Sequence, residues 1–306
     1  MTYHAIKKSI DAGNVLLIDG GTGSEIERQG VEMNEMSWCG IAHMEHPDVV
    51  RKVHESYIAA GADVIIANTF STAPHILEQM GLEDDVQRIN ADAVRLALEA
   101  RESAGDPSVC VAASISSIPP FQGAQTLPTG DRVKYGYKRQ AEYLAEAGAE
   151  LICAEMMMDI DNASLVVDAA SATGLPVWVG FSVSVDDQGN VASYDMGDKF
   201  DIPVIDFVTM AKEVLAIGGQ AAGIMHSSVH DIARALELLN TVWDGPTYAY
   251  AESGHFESPS WKFVDIIDPA LYVDYANKWI DLGVNMIGGC CGTGPEHIRA
   301  LADELK

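Results

Sequence analysis

Positive charge is scarce in this chain. Of its 306 residues, 19 are Lys or Arg against 45 Asp or Glu, a formal charge of −26. A surface of that sign repels the phosphates of nucleic acid and of anionic lipid, so no nucleic acid and no membrane is expected as a partner. Most of those carboxylates belong on solvated helix faces and say little about a site. Long apolar runs are missing too. No stretch approaches the roughly 20 consecutive apolar residues of a membrane span. No apolar run follows Lys7 and Lys8 before Asp11, so no leader peptide is expected. Cysteine is sparse: Cys39, Cys110 and Cys153 are scattered, and Cys290 adjoins Cys291. An odd set of five, so spaced, is no secreted disulfide framework, and a reducing, cytoplasmic setting is the expectation. Linkers and low-complexity tracts are also absent, so residues 1–306 read as one domain.

Apolar residues, at 48% of the chain, suffice for one large core. They fall into short runs at 15–19, 64–67, 109–114, 151–154, 176–181, 221–225, 247–251 and 284–287. Each run is nearly continuous rather than alternating, as expected of parallel strands buried on both faces. Amphipathic stretches at 47–60, 86–101, 133–147, 163–172, 205–216, 229–239, 270–282 and 295–305 separate them and read as helices. Several end on a glycine just ahead of a strand, as in Ala60-Gly61-Ala62-Asp63, Ala147-Gly148-Ala149-Glu150 and Leu282-Gly283-Val284-Asn285. Eight strand–helix units predict a (β/α)8 TIM barrel, with a doubly wound open sheet as the competing arrangement. The long segments 116–132, 184–201 and 253–268 carry Gly or Pro and are expected to cover the site.

In a barrel, chemistry gathers at the C-terminal ends of the strands. Those ends read Asp19-Gly20-Gly21-Thr22-Gly23, Asn68-Thr69-Phe70, Glu155, His226, Glu252 and Gly288-Gly289-Cys290-Cys291-Gly292-Thr293-Gly294. Neighbouring side chains on a strand point to opposite faces. Cys290 and Cys291 can therefore share a metal only if the backbone leaves strand geometry, which the flanking glycines permit. Zinc favours thiolate and imidazole; a vicinal pair of buried free or oxidised cysteines is the plainer alternative. His226 is either a third ligand or an ordinary hydrogen-bonded residue. Asp19 and Glu155, as carboxylates at strand ends, are candidates for a functional role. The glycines after Asp19 lack the lysine of a phosphate-binding loop and the spacing of a dinucleotide fingerprint. Trp38, Phe70, Tyr250, Phe256 and Trp261 fall near the same rim, where aromatic faces attract cationic methyl groups or simply pack.

The chain resembles the homocysteine S-methyltransferase family. The resemblance rests on Ile18-Asp19-Gly20-Gly21-Thr22-Gly23-Ser24-Glu25, on Gly61-Ala62-Asp63 leading to Asn68-Thr69-Phe70, on Gly148-Ala149-Glu150 leading to Glu155, and on Ile287-Gly288-Gly289-Cys290-Cys291-Gly292-Thr293-Gly294-Pro295. It implies the barrel, a zinc (Zn2+) cofactor, and two small-molecule substrates, a methyl donor and a thiol acceptor. Cys290 and Cys291 match two of the family's three zinc-ligand cysteines. Asp19 and Glu155 match the acidic residues that hold the homocysteine amino group, with Gly20, Trp38, Asn68, Thr69 and Phe70 as further expected substrate contacts. The metal holds the substrate sulfur as thiolate, which attacks a methyl on a cationic donor and gives methionine. Trp38 and Glu45-His46-Pro47 look like the betaine-using branch, but Ser71 and Met156 stand where that branch has aromatic residues.

The third ligand departs from the family, which has Gly-hydrophobic-Asn-Cys where this chain reads Gly223-Ile224-Met225-His226. Two thiolates and a neutral imidazole on Zn²⁺ leave no net charge, against −1 for three thiolates. A thiol held there ionises more easily but its thiolate attacks more slowly. That implies a more reactive donor, a different acceptor, or altered activity. A metal-dependent lyase or hydrolase on the same barrel and a non-catalytic binding homologue are the competing functions.

Overall fold

All eight apolar runs form parallel strands in the computed structural model, which describes residues 2–117, 130–195, 203–257 and 259–306. The barrel strands are β1 (Leu16–Leu17), β2 (Val64–Ala67), β3 (Cys110–Ser116), β4 (Leu151–Met157), β5 (Val177–Phe181), β6 (Ala221–Ser228), β7 (Thr247–Glu252) and β8 (Met286–Ile287). Each pairs with its sequence neighbour, and β8 returns to pair with β1. The circle closes between β1 and β2 through a single bridge, Ile18 to Val64. The open-sheet alternative is thereby excluded, since a doubly wound sheet reverses strand order part-way.

A helix follows each strand: α1 (Pro47–Ala60), α2 (Val86–Ala104), α3 (Asp131–Glu146), α4 (Ile160–Ser171), α5 (Phe207–Leu215), α6 (Ile232–Leu239), α7 (Pro269–Asp281) and α8 (Pro295–Leu305). The first shows why these stretches are helical. Pro47 occupies its first turn, where a missing N–H costs nothing. Val50, Val53, His54, Tyr57 and Ile58 recur at spacings of three and four and are all buried. Gly61 then takes a φ of 108°, and its amide closes onto the carbonyls of Tyr57 and Ile58. No helix among the described residues is long and apolar enough to cross a membrane.

Elements beyond the expected sixteen shape the rim. A helix at Thr2–Asp11 lies against β1 and β3, with Ile6 and Ile10 buried in the core. The glycine-rich turn after Asp19 passes at once into a helix, Thr22–Arg28. The second expected covering loop holds an antiparallel hairpin, Val183–Val185 with Val191–Ser193, and the third another, His255–Glu257 with Ser260–Lys262. Most of the first, residues 118–129, lies outside the described residues, as do 196–201 of the second and 258 of the third.

Candidate metal and substrate site

Two bulges build the site. β4 and β6 run three residues beyond their expected ends, and each slips register there, between Ala154 and Met157 against β5 and between Met225 and Ser228 against β7. Met156 and His226 sit at these slips with φ of 52° and 42°. Left-handed backbone is uncommon away from glycine, although histidine tolerates it better than most residues. A bulge inserts a residue and re-aims its neighbours, which is why bulges collect beside functional sites. Here one follows Glu155 directly, and the other holds His226 itself.

His226 meets the cysteine pair. Its Nδ1 lies 3.5 Å from the Cys290 sulfur, and one ligand atom from each of His226, Cys290 and Cys291 lies within 4.8 Å of the others. The cysteines follow β8 in a tight turn, in which the Thr293 amide and hydroxyl both donate to the Cys290 carbonyl. Glycines make this turn possible in two ways. Gly292 has a φ of 79°, whereas a Cβ on Gly289 would lie 1.9 Å from the Thr293 hydroxyl, so Gly289 is needed for close packing. Only the first is the backbone distortion expected from sequence.

The two thiols are unequal. Cys290 is held well below the usual thiol range, because Cys291 donates a hydrogen bond to it and His226 adds positive charge, against the pull of burial. Cys291 is pushed well up by sharing its proton with Cys290 and by burial. Burial disfavours charge on His226, but the Glu252 carboxylate and Cys290 outweigh it and push the imidazole up to about 9. Glu252, a rim residue given no role in the sequence reading, places Oε2 3.2 Å from His226 Nδ1.

Asp19 and Glu155 lie buried across the barrel mouth. Asp19 Oδ2 accepts from the Ile66 amide at 2.8 Å. Glu155 accepts from the hydroxyls of Ser114 and Tyr250. Burial pushes Glu155 up to about 7, against those two hydrogen bonds. It pushes Asp19 well above the usual carboxylate range, and Glu155 adds to that. Neither carboxylate has a Lys, Arg or His ion-pair partner among the described residues. Ser114 and Tyr250 went unrecognised in the sequence as partners of Glu155. Their signal was parity, since alternate residues of a barrel strand share the inward face.

The remaining candidates divide. Trp38 has a φ of 49°, and a Cβ on Gly23 would lie 2.7 Å from its ring, so Gly23 makes room for the indole. From Trp38 a file of rings leads to His226 of the candidate metal group. Trp38 meets Phe256 at 6.3 Å, Phe256 meets Trp261 at 6.4 Å, Trp261 meets His226 at 6.4 Å, and Tyr194 flanks His226 at 5.5 Å between centroids. Phe70 is half-buried at the core's edge. The side chains of Asn68 and Thr69 shape the rim: Asn68 exchanges hydrogen bonds with Cys39, and Thr69 brackets the Ser114 backbone. Gly20 packs against Thr293 and Tyr57, with a Cβ there 2.4 Å from the Thr293 carbonyl.

The sequence model of the homocysteine S-methyltransferase family matches residues 16–305. The chain belongs to the homocysteine S-methyltransferase family. Among curated relatives, homocysteine S-methyltransferase 2 of Zea mays is 28% identical over 99% of this chain and 93% of its own. A selenocysteine Se-methyltransferase of Brassica oleracea var. italica is 27% identical, with the same coverage of each. The metallated form of the Escherichia coli homocysteine methyltransferase MmuM has the same fold, with a TM-score of 0.76 at 23% identity, over 97% of this chain and 99% of that one.

Proposed function

We propose that this family member moves a methyl group from a small cationic donor, of sulfonium or betaine type, to the thiol of homocysteine, with zinc held by His226, Cys290 and Cys291. The observation that carries the reading is the pairing of two unlike sites on one rim. A soft donor set faces the barrel mouth beside two buried carboxylates that lack a cation. Two sulfurs and one imidazole nitrogen, within 4.8 Å of one another, suit an ion that takes Zn–S of about 2.3 Å and Zn–N of about 2.0–2.1 Å. Zinc bound there would supply the Lewis acidity that keeps a substrate thiol ionised near neutral pH.

The chain's own residues supply the rest. Asp19 and Glu155 suit an ammonium group, which relieves their mutual repulsion and burial. An amino-acid thiol anchored there can direct its sulfur toward Cys290. The file of rings from Trp38 to His226 gives a positively charged methyl group a wall of π-faces, worth about 2 kcal/mol when desolvated. Ser71, with its hydroxyl on the Ser37 carbonyl, is turned to the backbone. Incubating the zinc-loaded protein with homocysteine and a panel of sulfonium and betaine-type donors should give methionine with at least one; no product with any donor refutes the assignment.

Substrate affinity should track the ionisation of Glu155. Its folded pKa of about 7 lies above the ordinary value of 4.5, so near pH 6 most of it is protonated and offers an ammonium little. The homocysteine KM should therefore fall between about pH 6 and pH 8 as the carboxylate ionises. Glu155→Gln should abolish that slope and raise KM about 10–100-fold, matching the 1.5–3 kcal/mol of a charge-assisted hydrogen bond. A variant with the wild-type pH profile would place the amino group elsewhere.

A further inference from the structure

Met156 and Met225 both stand at departures from the pattern that the sequence resembles, and the fold brings them together. Each lies at one of the two bulges. Glu155 and Met156 oppose the single residue Gly180, and His226 and Ser227 oppose Ala251. A bulge takes its extra residue out of the ladder, so the freed amide needs another acceptor, and burying it without one is costly. The Met156 amide finds its acceptor in the Met225 side chain, donating to Sδ at 3.2 Å. One residue therefore spans both bulges. The Met225 backbone leads directly into His226, while its sulfur holds the backbone directly after Glu155. Gly180 clears the way between them, since a Cβ there would lie 2.8 Å from Met225 Cγ. Ser182 secures the tie from the end of β5, its hydroxyl donating to the Met225 carbonyl at 3.0 Å and to Sδ at 3.3 Å. All three side chains are buried.

We infer that Met225 is a positioning residue that fixes the spacing between Glu155 and His226, and so sets the chain length of the thiol that the enzyme accepts. The inference rests on the proposed function, in which Glu155 holds the ammonium of the acceptor and His226 helps hold the metal that takes its sulfur. Homocysteine separates those two groups by one methylene more than cysteine does. Two anchors held at a fixed spacing read that difference, and one methylene is commonly worth about 10–200-fold. Two bulges free to shift independently read it less well.

The test compares the binding of homocysteine and of cysteine by calorimetry on zinc-loaded wild type, Met225→Leu and Met225→Gln, with zinc affinity followed by chelator competition. Leucine keeps the volume and removes the acceptor. Wild type should bind homocysteine about 10-fold or more tightly than cysteine. Met225→Leu should weaken homocysteine about 10-fold, leave cysteine within about threefold, and hold zinc as wild type does. Met225→Gln, whose amide oxygen can accept from Met156, should recover the wild-type ratio. Ser182→Ala frees the sulfur from its other partner and should lower the ratio as well, so the inference stays open to refutation if Met225→Leu does not fold. A merely structural role predicts equal weakening of both thiols, and that result overturns the inference. So do a wild type indifferent to chain length and a Met225→Gln no more selective than Met225→Leu. Zinc lost in step with the thiol would show that Met225 acts through His226 alone, which overturns it too. Wild type that binds no zinc or no homocysteine defeats the functional reading itself, so the two failures are separable.

Discussion

On the proposed reading, Cys290→Ser and Cys291→Ser should each strip the protein of zinc and, with it, of methyl transfer. The two sulfurs are two-thirds of the donor set, and a serine hydroxyl is a poor zinc ligand beside a thiolate. Even outer-sphere partners of metal ligands are worth about 10–100-fold in affinity, and loss of a ligand itself should exceed that. The substitutions differ in what they leave behind. Cys291→Ser retains a hydrogen-bond donor to the Cys290 sulfur, which is held low chiefly by that bond. Cys290→Ser removes the thiol that lies 3.5 Å from His226 Nδ1 and so dismantles the centre of the triad. Cys290→Ser should therefore be the more damaging of the two. Metal analysis after equilibration with a chelator decides the matter; one equivalent of zinc retained by the double variant would remove the thiolates from the site.

Gly292→Ala should be nearly as damaging without touching a ligand. A Cβ there would fall 1.7 Å from the Ser253 carbonyl oxygen, and the φ of 79° is strained for alanine in any case. Relief by movement is blocked on every side. The Ser253 amide donates to the Cys291 carbonyl, its carbonyl accepts from the Trp261 indole, and the Gly292 amide donates to the Ser24 hydroxyl. Pushing these apart moves the carbonyl of Cys291, a proposed metal ligand, and the ring that flanks His226. The expected result is a loss of about 3 kcal/mol or more in stability, together with weakened zinc binding. Thermal melts with and without zinc measure both, and a variant that melts like wild type would show that the turn can relax.

The scaffold was legible because its signals are local. Helices 47–60 and 295–305 and strand 64–67 end where expected, since proline and glycine act on their own backbone. The site was half legible. Asp19, Glu155, His226, Cys290 and Cys291 were all singled out, and the fold places them around one mouth. Their partners were hidden for physical reasons. The bulges at Met156 and His226 have no glycine to announce them, because tertiary packing holds the left-handed backbone in place. Glu252 looked like an ordinary strand end until the bulge in β6 turned His226 toward it. Asn68 and Thr69 were singled out as substrate contacts; that their side chains also hold Cys39 and Ser114 depends on three-dimensional neighbours.

The barrel's closure carries one more consequence. At the junction of β1 and β2 two backbone amides are satisfied by side chains: Leu17 donates to Asp63 Oδ2, and Ile66 donates to Asp19 Oδ2. With only the Ile18–Val64 bridge between them, these two strands form the joint of the barrel with the least ladder to hold it. Local opening begins where the fewest backbone bonds must break. Asp19 is thus a latch as well as the proposed receptor, and burial favours its protonated form, the weaker acceptor for Ile66. On the proposed reading, an ammonium beside it would restore the charge and fasten the latch. Substrate binding and barrel integrity would then be linked, with the empty enzyme opening at this joint more readily than the loaded one.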